Sequence, residues 1–208
     1  MKKMIAILCC VCLLMGYGMA EADGTYWQCA NCGEWNTTNY CGNCGYPRTE
    51  IALDGPNTSV HVRLNQRLAT RSGPSTKYDE LGSYFKAGTW LTALSAAWDD
   101  VNEIWWIQVE FQYQGKWRRA YTGLKRLDMD VSSVRTESQQ AFVRTIRNTA
   151  AYYGPGTHYS KYAKAVPQNT AGVVYWVENG WAQLEFYDST LNKLRRVWIN
   201  RNDLVLQY

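Results

Sequence analysis

Gly73-Pro74-Ser75-Thr76-Lys77-Tyr78 returns later in the chain as Gly154-Pro155-Gly156-Thr157-His158-Tyr159, and that return decides the architecture. Two further blocks follow in the same order. Trp106-Ile107-Gln108-Val109-Glu110-Phe111 becomes Trp181-Ala182-Gln183-Leu184-Glu185-Phe186, and Arg118-Arg119-Ala120-Tyr121 becomes Arg195-Arg196-Val197-Trp198. Ordered self-similarity marks a duplicated unit. The spacing between copies shifts from block to block, which puts the length changes in loops. Each copy is made of short aromatic and β-branched runs punctuated by Gly, Pro, Asn and Asp, without helical periodicity. The expected fold is therefore mainly β, with two small β-barrels over 57–128 and 141–208. A polar linker at 129–140 joins them and is expected to yield to mild proteolysis.

Alternation along 106–111 sends Ile107, Val109 and Phe111 to one face and Trp106, Gln108 and Glu110 to the other. The apolar set reads as interior. A turn at Gln114-Gly115 would bring Glu110 opposite Arg119, Gln108 opposite Tyr121 and Val109 opposite Ala120. In the second copy the same register pairs Glu185 with Arg196, Gln183 with Trp198 and Leu184 with Val197. The outer strip thus carries an aromatic residue, a glutamine and an ion pair twice. It reads either as a flat platform for a sugar or peptide or as an ordinary exposed ion pair whose flanking aromatics pack on the neighbouring strand or on the other barrel.

The stretch from Ala69 to Tyr78, with Gly88-Thr89 before an apolar strand, Trp106 with Val109, and Leu127, resembles the bacterial SH3 family. The second copy joins that resemblance through its alignment with the first. The resemblance covers 60–206 and implies SH3-like barrels in an exported bacterial protein that binds peptidoglycan or its peptides. SH3 grooves are lined by aromatic residues, which makes Tyr78, Trp106, Tyr121, Tyr159, Trp181 and Trp198 the candidate ligand-binding residues. Trp90, Trp98, Trp105, Tyr153 and Trp176 are further candidates.

Upstream, Cys29-Ala30-Asn31-Cys32 and Cys41-Gly42-Asn43-Cys44 form two Cys-x-x-Cys knuckles eight residues apart. Four thiolates can surround one zinc ion at about 2.3 Å in a closed tetrahedral site, structural rather than catalytic. A span with so few apolar residues would draw its folding free energy from the metal. Two disulfides are the other way to satisfy the same four cysteines in an oxidising compartment. With Trp27, Asn36 and Arg48, residues 25–48 resemble the Ran-binding-protein-type zinc finger and the wider zinc-ribbon class.

Lys2 and Lys3 precede an apolar run from Met4 to Met15, followed by Gly16, Gly18 and Ala20, so 1–20 reads as a cleaved signal peptide. The run is shorter than the ~20 residues a membrane span needs. The expected location is secreted or at the cell envelope. Removing 1–20 takes two lysines and no acids, leaving 20 basic against 18 acidic residues. A charge so near zero gives no footprint for nucleic acid.

Catalytic signals are sparse. Outside the first 20 residues the histidines are His61 and His158 and the cysteines are those of the knuckles, so no nucleophile has a base in a recognisable motif. A carboxylate pair for glycan hydrolysis, with Asp99, Asp100 or Glu110 as members, is the minor alternative. The expected function is non-enzymatic binding of a cell-wall or peptide ligand. The rival is an adaptor that assembles exported proteins and binds no wall.

Overall fold

The computed structural model describes residues 27–28, 34–36, 43 and 59–207. The signal-peptide reading of 1–20 and the zinc or disulfide reading of Cys29, Cys32, Cys41 and Cys44 lie outside the described residues. Within 25–48, β1 (Trp27–Gln28) pairs antiparallel with β2 (Trp35–Asn36). Among the described residues no helix is long and apolar enough to cross a membrane.

The rest is mainly β, in two sheets that follow the two copies. The first holds β3 (Val60–Arg63), β4 (Leu68–Arg71), β5 (Glu80–Phe85), β6 (Trp90–Asp99), β7 (Ile104–Tyr113) and β8 (Lys116–Gly123), in the order β3-β6-β7-β8-β4-β5. The second holds β10 (Ala141–Thr145), β11 (Ala171–Glu178), β12 (Trp181–Asp188), β13 (Lys193–Asn200) and β14 (Leu204–Leu206), in the order β13-β12-β11-β10-β14. Between them, β9 (Arg135–Thr136) lies parallel to β6.

Neither sheet closes into a barrel, contrary to the expectation from the sequence. The hydrogen-bonded path of the first ends at β3 and β5, that of the second at β13 and β14. In the second copy the stretch between β10 and β11 makes isolated bridges, Thr149 to Val166, Tyr152 to Lys161 and Trp198, and Tyr159 to Trp117 of the first copy.

The expected register holds in both copies. Glu110 faces Arg119, Gln108 faces Tyr121 and Val109 faces Ala120; Glu185 faces Arg196, Gln183 faces Trp198 and Leu184 faces Val197. Gln114 and Gly115 adopt positive φ of 51° and 75°, the handedness of a tight hairpin turn that suits sheet twist. Ile107, Val109 and Phe111 enter the first core with Val62, Leu91 and Ala120. Leu184 and Phe186 enter the second with Val143, Val174, Val197 and Ile199.

The duplication extends to defects. A bulge interrupts β6 between Ala93 and Ser95, and another interrupts β11 between Val174 and Trp176. An extra residue re-aims its side chain, and Leu94 packs with Trp176 and Trp198 of the other copy.

The 129–140 segment is tied down rather than free. Val134 is buried in the first core, the Glu137 backbone N–H donates to Ala96 O at 2.7 Å, and the Glu137 side chain is 1% exposed.

Candidate functional site

Gly73 and Gly154 determine where the two Gly-Pro tyrosines point. A Cβ on Gly73 would stand 2.2 Å from the Tyr78 ring, and one on Gly154 would stand 2.1 Å from the Tyr159 ring. Each ring therefore lies flat on its glycine backbone, an approach that no side chain permits. From there each crosses to the opposite copy. The Tyr78 hydroxyl donates to Glu185 and the Tyr159 hydroxyl donates to Glu110. Tyr78 pairs beside Leu194 and Tyr159 beside Trp117, in equivalent short parallel bridges. The copies meet through the same surface, related by a pseudo-twofold axis, as in an isologous dimer.

The outer strips face each other across this axis. Arg119 binds Glu110 at 2.8 Å in its own sheet and Glu178 of the other copy through two bonds of 2.7 and 2.9 Å. Arg196 binds Glu185 at 2.8 Å and also binds Glu137. Near the axis stands Tyr121, 1% exposed. Its hydroxyl donates to Glu137 Oε1 at 2.8 Å, and the three donors Gln108 Nε2, Gln183 Nε2 and Arg196 Nη1, each 3.0 Å away, share its two lone pairs. Burial pushes the phenols of Tyr78, Tyr121 and Tyr159 well above the usual tyrosine range, against the opposing pull of Arg196 on the first two and Arg119 on the third. Each of these groups is thereby kept as a neutral donor.

Of the candidate ligand-binding residues, Tyr78, Tyr121, Tyr159 and Trp198 are thus buried in the contact between the copies. Trp181 packs against the cluster of Leu94, Trp176 and Trp198. Trp106 is also buried, but it forms the back of a groove.

That groove, about 510 Å³ in volume, lies in the first copy. One wall is the Gly-Pro loop region, with Ala69, Arg71 and Thr76. The facing wall is the tip of the β6–β7 hairpin, with Trp98, Ile104 and Trp105. Leu124, Lys125 and Arg126 of a 3₁₀ turn close the end. Trp98 is 45% exposed and its ring lies 5.2 Å from that of Trp105. Arg71 is held in place by the carbonyls of Tyr78 and Thr76. Against the cost of burial, Asn102, the backbone N–H groups of Val101 and Asn102, and Trp106 hold Asp99 below the usual carboxylate range, fixing the hairpin tip.

The second copy lacks this arrangement. Its hairpin turns at once through Asn179-Gly180, both at positive φ, so Trp98 and Trp105 have no counterparts. Gly180 O accepts from the Arg201 N–H at 2.9 Å. Tyr152 occupies the strand position of Arg71 and packs edge-on against Trp181 at 5.3 Å.

His61 lies exposed on β3, and the exposed His158 packs on Tyr159 at 4.4 Å. Among the described residues no group of three or more His, Cys, Asp or Glu side chains could hold a metal ion. Trp98 and Trp105 are aromatic candidates of the sequence; Ala69, Arg71, Ile104 and Lys125 carry no such signal and join them only through the fold. The usable signal was the extra length of the first copy between its first and second repeated blocks. Comparison with known proteins found no matching family model, no matching curated protein and no matching solved structure.

Proposed function

We propose that this chain is an exported, non-catalytic binding protein made of two SH3-like units, in which the first presents a peptide-binding groove and the second braces it. The observation that carries this reading is the groove walled by Trp98, Ile104 and Trp105 against Ala69 and Arg71. It offers apolar area with a few oriented polar groups, the composition of a binding site for a small ligand or peptide. The SH3-like assignment draws support from the chain path. In each copy the opening strand pairs with the strand that carries the bulge, β3 with β6 and β10 with β11, and a 3₁₀ turn precedes the segment that returns to the end of the opening strand.

The ligand class suggested by the family resemblance is a cell-wall peptide, with a location at the envelope or outside the cell. The four cysteines would hold one structural zinc in a separate ribbon. Retention of the full chain on purified cell walls tests the groove. Wild-type retention that falls at least about tenfold in Trp98→Ala and Trp105→Ala, but not in the outward-facing Phe142→Ala on β10, supports the reading. Failure of the wild type to be retained favours the adaptor role, and equal retention of all variants removes the groove from the mechanism. Metal content with free-thiol counting tests the ribbon separately: one zinc and four thiols after chelation are expected, and no metal with no thiols would mean two disulfides.

A further inference from the structure

The β6–β7 hairpin separates the groove from a second cavity. On its other side a cleft of about 480 Å³ runs along the seam between the copies, and Trp98 lines both spaces. Their charges are opposite. In the groove Arg71, which also pairs with Glu80 at 3.8 Å, Lys125 and Arg126 outnumber Glu103. In the seam cleft Asp99, Asp100, Glu137 and Glu185 outnumber Lys77 and Arg196. Arg196 is already engaged by two of those carboxylates, Glu137 and Glu185, so that trio keeps a net negative charge. Asp99 is held ionised by the hairpin-tip hydrogen bonds. Asp100 is exposed at the rim.

We propose that one ligand occupies both cavities: a short extended peptide whose carboxylate end lies by Arg71 and Lys125, whose backbone crosses Trp98, and whose ammonium end lies by Asp99 and Asp100. The inference rests on the groove reading of the first copy and adds the second copy to the site. Charge complementarity fixes the direction of the peptide, since the reversed orientation would set like charges together at both ends. An indole face between the two pockets suits a peptide backbone and can also receive a cation. Among the described residues the hairpin extension that carries Trp98 occurs in the first copy alone, and so does the site it divides.

The test uses the full chain and the peptide Phe-Ala-Ala-Leu in three forms: both termini free, N-acetylated, and C-amidated. Tryptophan fluorescence is followed at low ionic strength, where screening is weak. Removing either terminal charge is expected to weaken binding about three- to fivefold. The effects should cross over: in Asp100→Asn acetylation should lose most of its effect while amidation keeps its own, and in Lys125→Gln the reverse should hold. Absence of binding by all three forms, or a loss on capping that neither variant changes, overturns the spanning ligand. If cell-wall retention still depends on Trp98 under that outcome, the groove reading survives; if retention fails as well, both fall.

Discussion

Gly73 and Gly154 do the same work in two places, because a tyrosine ring lies where their side chains would be. Gly73→Ala and Gly154→Ala should each cost about 1–3 kcal/mol, the usual range for overpacking, measured by urea unfolding of the full chain. Tyr121→Phe should cost a similar ~1–3 kcal/mol, because it leaves buried donors on Gln108 and Gln183 without their acceptor. A change below a few tenths of a kcal/mol would remove Tyr121 from the centre of the contact. The strip's direction was legible in the alternation of Trp106 to Phe111. What the strip meets was not, because an aromatic residue, a glutamine and an ion pair serve a ligand or a second protein surface equally well. The recurrence of one face in both copies was the available hint, since two like faces can close on each other.

At the scale of elements, the linker and one hairpin depart most from what composition suggests. Residues 128–140 are polar enough to read as a tether, yet β9 adds to β6, Val134 enters the core and Glu137 meets Arg196. Polarity reports average solvation, whereas the fate of this segment depends on three particular contacts. Mild proteolysis should therefore leave 128–140 uncut until the chain unfolds globally. Glu137→Ala should make it cleavable and cost about 1–3 kcal/mol, since it takes a buried acceptor from the Tyr121 hydroxyl and from Arg196, which keeps Glu185. Cleavage of the wild type under native conditions would contradict this packing. The β7–β8 register was readable because a two-residue turn fixes every pair beyond it. The groove was not, because its walls come from a loop, a hairpin tip and a 3₁₀ turn far apart in sequence.

At the scale of the molecule, the buried contact couples the copies, and 59–207 should unfold in a single transition with coincident fluorescence and circular-dichroism midpoints. Its pH dependence follows from the tyrosines. Burial, with Tyr162 nearby, pushes Tyr153 up to about 12, and burial pushes Tyr78, Tyr121 and Tyr159 up as well. An unfolded tyrosine releases its proton near pH 10, so between that pH and the folded values the native chain binds more protons than the unfolded one. The contribution is complete below about pH 10 and is lost as the pH rises through about 12. Melting temperature should fall over that interval, with part of the phenolate absorbance appearing only on unfolding; a flat profile would contradict it. The axis itself has a last consequence. One hydroxyl, that of Tyr121, serves the glutamines of both copies, and its symmetry mate is the indole of Trp198. Two first copies would bring two phenol oxygens to nearly one point, and two second copies would bring none. The duplicated halves have become complementary strangers, each fitted to its sibling and mismatched to its own twin.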